Sequence, residues 1–348
     1  MPAGQKHIRG YMKHLQKNKT KIQGIYAIAA SLLIVSALLG ILLGATRMSL
    51  SDLIKAIIDT EGKLPESKIL WYVRFPRVMA SLLCGAALAV SGAVIQCVLA
   101  NRLASPSIIG VNSGAGLAVT ICTAFGIIGG WKLSLFAFLG AFFTVMLVSF
   151  GAKKWGASRG TVILMGVALN ALLGAISDTV ITFVPEVSMI SNDFKVGDFS
   201  SATYTKLIPA AVIIFASMLV LFTLSQELDV LTLGDENAKG LGLNTDMMRV
   251  IFLILAALLA GSAVSIAGLL SFVGLLVPHA VRRVATSRSK HLLPLCALFG
   301  AGFVTLCDTL ARTAFAPYEL PVGIIMAFLG APFFIFILIK GKGGHSRD

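Results

Sequence analysis

Two aspartates, Asp178 and Asp308, interrupt stretches of this sequence that are otherwise apolar. In a helix surrounded by lipid, an ionisable side chain is a candidate functional residue. Proton relays usually use several facing carboxylates or histidines, whereas these two acids stand alone. Arg312 follows Asp308 by four residues, a spacing that brings both side chains to one helix face. The pattern favours a structural ion pair at Asp308 over proton coupling, and it places Asp178 near a helix end that water reaches.

The other reactive residue types are not arranged for catalysis. The sequence contains no Gly-x-x-x-x-Gly-Lys-Ser/Thr phosphate loop, so it cannot hydrolyse ATP by that route. Its five cysteines lie in apolar stretches, without close pairs or a histidine at metal-ligand spacing. We expect these cysteines to be packing residues. The sequence predicts no catalytic, metal or cofactor site, and therefore no enzyme.

The elements that must position these residues are long apolar helices. Eight runs contain no Lys, Arg, Asp or Glu over at least 18 residues, and about 20 apolar residues cross a bilayer core as a helix. With 57% hydrophobic and 13% charged residues, the chain cannot hide its apolar surface as a soluble domain. It is predicted to be an all-α integral membrane protein, because lipid offers no partner to open backbone. The runs are 22–46, 78–101, 103–131, 133–152, 160–177, 207–226, 250–281 and 320–339.

The distribution of charge predicts the orientation. If the chain starts in the cytoplasm and alternates, the cytoplasmic segments hold most of the 29 lysines and arginines and the whole net charge of +13. Such a bias is the positive-inside pattern of membrane proteins, and it explains the basic composition without nucleic-acid binding. The predicted location is the cytoplasmic (inner) membrane, with several crossings.

The number of crossings depends on the run 250–281, which is too long for one helix and has cations on both sides that look cytoplasmic. Two crossings fit better, with Gly261 and Gly268 as candidate breaks. A further span continues from His291 to Arg312. We therefore expect about ten transmembrane helices over residues 22–340, with both termini cytoplasmic as a basic tail at 1–21 and a short tail at 341–348.

Four blocks of residues between about positions 70 and 340 carry a family signature. In these blocks the sequence resembles the iron-siderophore and vitamin B12 permeases, the FecCD-like transmembrane subunits of type II ATP-binding-cassette (ABC) importers. The blocks contain Arg74, Phe75, Pro76, Arg77, Gly85, Ala86, Ala87, Leu88, Ala89, Ser91, Gly92, Gln96, Asn101, Leu103, Ala104, Pro106, Gly110, Val111, Ser113, Gly114 and Ala115; Leu233, Gly234, Asp235, Glu236, Ala238, Leu241 and Gly242; Gly268, Phe272, Val273, Gly274, Leu275, Val277, Pro278, His279 and Arg282; and Glu319, Leu320, Pro321, Val322, Gly323, Gly330, Ala331, Pro332 and Phe333.

The resemblance implies a BtuC-like ten-helix subunit that works in an assembly. Its expected partners are a second permease subunit, identical or paralogous, two cytoplasmic ABC ATPase subunits and an extracytoplasmic substrate-binding protein. The expected cargo is a ferric siderophore, moved by alternating access with energy from the ATPases. Heme or cobalamin import by the same family is an alternative, and an ion-coupled secondary transporter is the alternative from another class. The sequence departs from the family at Arg102, where Pro is usual, at Ser105, where an acid is usual, and over 194–198.

Three arginines acquire a role from the resemblance. Arg74 and Arg77 precede the second span on the predicted outer side, three residues apart, and Arg312 lies near the outer end of the ninth. The family implies that they meet acidic residues on the binding protein, where charged hydrogen bonds give register and association rate. The alternatives are that Arg74 and Arg77 only reach towards the interface, and that Arg312 only pairs with Asp308.

The cytoplasmic segments acquire roles in the same way. The loop at about 227–249 is predicted to be the segment that couples to the ATPase, although a solvated connector is the alternative. Its implied coupling residues are Leu233, Gly234, Asp235, Glu236, Ala238 and Gly240.

The transport pathway is implied to run along the fifth span, about 161–184, and to close at its cytoplasmic end. Small residues on this span suit either a passage or close helix packing. The residues assigned to this gate and pathway are Asn101, Leu103, Ala157, Ser158, Gly166 and Ala168.

Overall fold

The computed structural model describes residues 3–44, 48–59, 64–154 and 159–342, which are helical apart from turns and loops and contain no strand. The helices are α1 (Ala3–Leu42), α2 (Leu50–Ile58), α3 (Pro65–Ile69), α4 (Phe75–Val98), α5 (Val111–Ala124), α6 (Gly130–Lys154), α7 (Arg159–Phe183), α8 (Ser188–Val196), α9 (Tyr204–Thr223), α10 (Ser225–Thr232), α11 (Asp235–Gly240), α12 (Thr245–Ala267), α13 (Val273–Val284), α14 (Ser289–Thr313) and α15 (Val322–Lys342). A π-helical turn, Leu70–Arg74, joins α3 to α4, and a 3-10 turn, Pro185–Val187, precedes α8. The all-α prediction is confirmed.

Within these described ranges, seven helical segments are long and apolar enough to cross a membrane. They are Thr20–Leu42, Pro65–Val98, Gly130–Gly151, Arg159–Phe183, Tyr204–Thr223, Thr245–Ala267 and Ser289–Thr313. Val111–Ala124 and Val322–Ile335 are shorter apolar helices. Ten crossings require α13 as well, so the number ten stays a prediction. The described part of the predicted basic tail, residues 3–21, is continuous with the first span, because α1 begins at Ala3.

The run 250–281 is divided as expected, but at only one of the two candidate glycines. Helix α12 ends at Gly268, whose φ of +71° suits a residue without a Cβ, and α13 begins five residues later. Gly261 is not a break: it lies inside α12 and packs against Phe138. Phe272, at the start of α13, has a φ of +67°, an uncommon conformation for a bulky residue. A short non-helical segment and a twelve-residue helix therefore follow α12.

Helix α4 is the centre of the bundle, and most of its side chains are buried. Glycines let two neighbouring helices approach it closely: a Cβ on Gly85 would lie 2.3 Å from the carbonyl oxygen of Gly300 in α14, and one on Gly92 would lie 1.9 Å from that of Gly274 in α13. Such small-residue contacts are the usual means by which helices associate in lipid, where no hydrophobic effect drives them together.

Helices α4 and α12 pack against each other through their small-residue segments. The Ser91 hydroxyl donates to the carbonyl oxygen of Ala256 over 2.7 Å, and the Cys84 thiol lies 3.5 Å from that of Ala263. Residue numbers rise on one helix as they fall on the other, so the two helices are antiparallel. All five cysteines are buried and unpaired, which confirms their prediction as packing residues.

Candidate functional site

Charged side chains collect at both ends of the bundle. At the end predicted to be extracytoplasmic, the carboxylate of Asp308 is fully buried (0% exposed). The Arg77 guanidinium donates to it from Nε over 3.1 Å and from Nη2 over 3.0 Å, and Arg312 Nε forms an ion pair with it at 3.2 Å. The predicted pairing of Asp308 with Arg312 is confirmed. Arg77 is a partner that the sequence did not indicate.

Arg77 also binds two acids on loops. Its Nη1 donates to Glu319 over 2.7 Å, from the segment before α15, and its Nη2 lies 3.6 Å from a carboxylate oxygen of Asp198, from the segment before α9. We call Arg77, Asp198, Asp308, Arg312 and Glu319 the outer cluster. One guanidinium thus connects α4 to α14 and to two loops.

The end of α1 is attached to the same region. Its last carbonyl groups have no partner within the helix and need donors from elsewhere. Arg74 donates to the carbonyl oxygens of Ile41 and Leu42 over 2.5 and 2.9 Å, and Arg312 donates to that of Gly40 over 2.9 Å. These contacts fix the outer end of α1 at the level of the start of α4.

The three arginines assigned to binding-protein docking are therefore brought together, but they point inwards. Arg74, Arg77 and Arg312 are only 4%, 5% and 3% exposed. Contact with another protein would require their guanidinium groups to exchange at least one internal partner. Their docking role stays a prediction.

The opposite end of the bundle holds a second group of charges, centred on Asp235 at the start of α11. Its two carboxylate oxygens accept hydrogen bonds from Arg159 over 2.6 Å and from Arg249 over 2.8 Å. Arg249 also lies 3.8 Å from Asp246. We call Arg159, Asp235, Asp246 and Arg249 the inner cluster. Since Arg159 begins α7 and Arg249 belongs to α12, Asp235 connects the short helix α11 to two membrane-length helices.

The central carboxylate of the inner cluster reaches water, because the Asp235 side chain is 42% exposed, while Arg159 and Arg249 are 18% and 12% exposed. Partial burial acts to raise the pKa of Asp235, but the hydrogen bonds and charges of Arg159 and Arg249 outweigh it and hold this pKa below the ordinary value. The carboxylate is therefore ionised at neutral pH.

The remaining residues predicted to couple to an ATPase flank Asp235 in the chain, and some of them are exposed. Gly234 has a φ of +99° and turns the chain from α10 into α11, and Ala238 is the buried anchor of α11. Leu233, Glu236 and Gly240 are exposed. Leu241, which belongs to the family signature, and Met247, which the sequence analysis did not name, are also exposed apolar residues of this loop region. Exposed apolar side chains grouped on one face mark an interaction surface.

The predicted gate residues lie along one loop and one helix. Asn101 accepts a hydrogen bond from the Leu103 amide over 2.8 Å, which shapes the turn after α4, and the Leu103 side chain is exposed. Gly166 is buried against the loop: a Cβ there would lie 2.3 Å from the carbonyl oxygen of Ile108. Ala168 is exposed. Ala157 and Ser158 lie outside the described residues.

Asn170 of α7 is a residue that the sequence analysis missed. Its amide donates to the carbonyl oxygens of Ser107 and Ile108 over 2.9 and 3.2 Å, and its side-chain oxygen accepts from the Ser113 hydroxyl over 2.5 Å. Together with Gly166 it fixes the non-helical segment between α4 and α5 to the helix that the family resemblance assigns to the pathway. A polar residue at that depth of an apolar helix was the available signal.

The loop fixed by Asn170 borders a cavity of about 330 Å³. Ser105 and Ser107 from this loop face Ser271 and Phe272 from the segment between α12 and α13, so both breaks in helical structure meet at one cavity. Irregular backbone inside a membrane is tolerated where it is buried in protein or lines a cavity. Asp178, by contrast, has a side chain that is 74% exposed and lies 3.7 Å from Lys195. That water reaches this position stays a prediction.

Comparisons with known proteins agree with these features. The sequence pattern of the FecCD transport family matches residues 32–340. The chain is 32% identical to the iron(3+)-hydroxamate import system permease of Bacillus subtilis over 91% of its own length and 97% of that protein. It is 34% identical to the vitamin B12 import system permease of Yersinia pseudotuberculosis, over 81% and 84% of the two chains. A solved inward-facing structure of a metal-chelate type ABC transporter superposes with a TM-score of 0.80 at 29% identity, over 92% and 98% of the chains.

Proposed function

We propose that this chain, which belongs to the FecCD transport family and is a membrane permease of an ABC importer, carries a ferric siderophore into the cytoplasm. Its similarity along nearly the whole length to an iron-hydroxamate permease is the observation that carries the choice of cargo. The iron would cross the membrane inside its organic chelator.

The work for transport comes from partner subunits. The chain lies in the inner membrane in this proposal. Two ATPases bind from the cytoplasm to the surface formed by Leu233, Leu241 and Met247. When nucleotide closes the ATPase pair, the force on this surface passes through Asp235 to Arg159 of α7 and Arg249 of α12. The hydrogen bonds of 2.6 and 2.8 Å support this route, because they connect the surface directly to membrane-length helices.

The pathway itself follows α7 in this proposal. Large apolar residues on α7 such as Leu164 and Leu172 are exposed in the single chain, so a second permease subunit, identical or paralogous, has a face to cover. Asn170 and Gly166 transmit movement of α7 to the segment between α4 and α5, where Asn101 and Leu103 close the cytoplasmic end. An extracytoplasmic binding protein delivers cargo to the outer end, near Arg74, Arg77 and Arg312.

A cobalamin cargo is the second candidate, because the chain is also similar to a vitamin B12 permease. Heme import by the same family and an ion-coupled secondary transporter remain the other two alternatives. The buried carboxylate of Asp308 is neutralised by two arginines, and this arrangement gives no support to a proton relay.

The test is transport by the chain and its partners in proteoliposomes. With ATPase and binding protein present, we expect ATP-dependent uptake of radiolabelled iron hydroxamate that vanadate abolishes, and little uptake of labelled cobalamin. Preferential uptake of cobalamin would change the assigned cargo only. Uptake by the chain alone, driven by a proton gradient and insensitive to vanadate, would overturn the proposal.

A further inference from the structure

Helix α2, between α1 and α4, has two apolar faces and uses only one of them for packing. Leu53 and Ala56 pack in a small core with Met48, Leu70 and Ile41. The other apolar face consists of Ile54, Ile57 and Ile58, which are 58%, 54% and 71% exposed. Their spacing of three and four residues places them on one side of the helix. Three exposed isoleucines side by side require a cover.

The polar residues of α2 occupy the remaining side. Ser49 caps the helix, and its side chain and that of Asp52 exchange hydrogen bonds with each other's backbone amides. Lys55 is exposed and lies about 200° around the helix axis from Ile57, since each residue turns by about 100°. A helix with one apolar and one polar side suits the flat boundary between water and lipid.

The position of α2 along the membrane normal follows from its contacts. Its core packs on Ile41, one of the last residues of the transmembrane helix α1. The carbonyl oxygens of Ile41 and Leu42 accept hydrogen bonds from Arg74, which immediately precedes α4. The end of α1, the start of α4 and helix α2 therefore lie at one depth, which is the outer edge of the apolar bundle.

Aromatic residues mark the same depth. Trp71 and Tyr72 are exposed, and the Tyr204 hydroxyl donates to the carbonyl oxygen of Trp71 over 2.7 Å. Tryptophan and tyrosine concentrate at the membrane interface, because their rings are apolar and their N–H and O–H groups stay hydrated. Apolar α1 side chains such as Ile34 and Leu38 are exposed just below, on a helix with few other neighbours, so the exposed surface continues towards the lipid.

From these contacts we infer that α2 lies flat in the outer leaflet of the membrane, with Ile54, Ile57 and Ile58 inserted among the acyl chains near the headgroups. The occupant of the exposed face is lipid and not another protein. Because the contact is apolar, it does not depend on anionic lipid. Helix α2 then anchors the segment that leads into Arg74 and holds the outer end of α4 at a fixed depth.

The experiment places one tryptophan reporter on each side of α2 in the assembled transporter, reconstituted in lipid vesicles. The three native tryptophans, Trp71, Trp131 and Trp155, are replaced by phenylalanine. Ile57→Trp reports on the apolar side, and Lys55→Trp, two residues away, is the matched control on the polar side. The probes are phospholipids brominated close to the headgroup, phospholipids brominated near the chain terminus, and aqueous acrylamide.

We expect the Ile57→Trp reporter to be quenched about twofold or more better by lipid brominated near the headgroup than the control, since interfacial helices bury ~5–10 Å deep. Acrylamide should quench the control better. If bromolipid fails to quench Ile57→Trp, α2 does not lie in lipid. In that case, protection of the reporter from acrylamide would indicate that a protein partner covers it. Quenching by acrylamide would indicate that the helix is exposed to water. Equal bromolipid quenching of both reporters also overturns the inference. Should Ile57→Trp not assemble, Ile54→Trp, about 100° around the helix from Lys55, replaces it.

Discussion

The outer and inner clusters are both built from arginine and aspartate, but their surroundings are opposite. In the outer cluster the central carboxylate, Asp308, is 0% exposed. It contacts the guanidinium groups of Arg77 from α4 and Arg312 from α14. In the inner cluster the central carboxylate, Asp235, is 42% exposed and belongs to a six-residue helix on the surface. The same chemistry therefore serves two different purposes at the two ends of the bundle.

The difference follows from the cost of removing charge from water. Breaking a buried pair leaves an uncompensated charge in an apolar setting, which costs about 3–5 kcal/mol, whereas an exposed pair contributes about 0–1 kcal/mol. The outer cluster thus holds α1, α4 and α14 in one arrangement. Opening and reforming the ion pairs of Asp235 in the inner cluster costs less free energy, which suits the coupling role proposed for this cluster.

The largest effect should come from the outer cluster. Asp308→Asn keeps the size of the side chain but leaves Arg77 and Arg312 without their buried counter-charge, so we expect a loss of about 3–5 kcal/mol in unfolding free energy. The measurement is the thermal unfolding midpoint of the purified chain in detergent, together with its yield in membranes. Asp178→Asn is the matched control, because Asp178 is also an aspartate in an apolar run but is 74% exposed. A similar loss for both variants would contradict the distinction between buried and exposed acids.

The next effect concerns the inner cluster and its proposed role in coupling. Asp235→Asn should change the unfolding free energy by no more than about 1 kcal/mol, because the site is open to water. In the assembled transporter it should raise the number of ATP molecules hydrolysed per molecule of cargo several-fold, since the link to Arg159 and Arg249 is weakened. Asp246→Asn is the control, as Asp246 is farther from Arg249, at 3.8 Å, and does not bind Arg159.

An unchanged ratio of hydrolysis to uptake in Asp235→Asn would remove Asp235 from the coupling route. A purely structural role predicts that uptake and hydrolysis fall together. A pair of variants at Arg249 tests the role of charge. If coupling is loose in Arg249→Gln but tight in Arg249→Lys, the positive charge at this position is what matters.

The sequence was enough to predict most of the long helices and the local pair, and it failed where contacts join distant positions. Asp308 and Arg312 are four residues apart on one helix, so periodicity alone brings them together. Arg77 and Asp308 are 231 residues apart, and their contact depends on how α4 and α14 pack through Gly85 and Gly300. No local rule specifies that packing.

The irregular segments show the same limit. The sequence predicted Gly261 and Gly268 alike as breaks, and only Gly268, which adopts a φ of +71°, ends α12. The segment between α4 and α5 gave no comparable signal, since its shape depends on Asn170 from a separate helix. Helix α2 was also missed, because nine residues are too few to stand out among runs of 18 or more.

A variant with a smaller expected effect, Glu319→Gln, tests whether the outer cluster docks the binding protein. Glu319 is the exposed partner of Arg77, and its side chain is 36% exposed. We expect Glu319→Gln to change the unfolding free energy by about 0–1 kcal/mol while it frees one edge of the Arg77 guanidinium. If a carboxylate of the binding protein takes the place of Glu319, association should become faster at low salt, because close complementary charges steer encounter.

The control for this variant is Glu186→Gln, which removes an exposed acid elsewhere among the predicted outer segments. Both variants make the chain one charge more positive, so a general attraction would speed association in both. Only a direct contact with Arg77 gives a faster rate in Glu319→Gln alone. Equal rates for the parent and both variants would argue against docking at Arg77.

The smallest expected effect is the response of the inner cluster to pH. Arg159 and Arg249 hold the pKa of Asp235 below its ordinary value of about 4, so the folded carboxylate stays ionised well into acid. A depressed pKa stabilises the folded contact above the unfolded pKa, and that stabilisation is lost as the pH falls through the folded pKa. Between pH 6 and 8 the ratio of ATP hydrolysed to cargo transported should therefore be flat, in the parent and in Asp235→Asn alike. A change in that window that disappears in Asp235→Asn would show that protonation of Asp235 opens the inner cluster. A flat ratio means that protonation of Asp235 plays no part in opening it over this range.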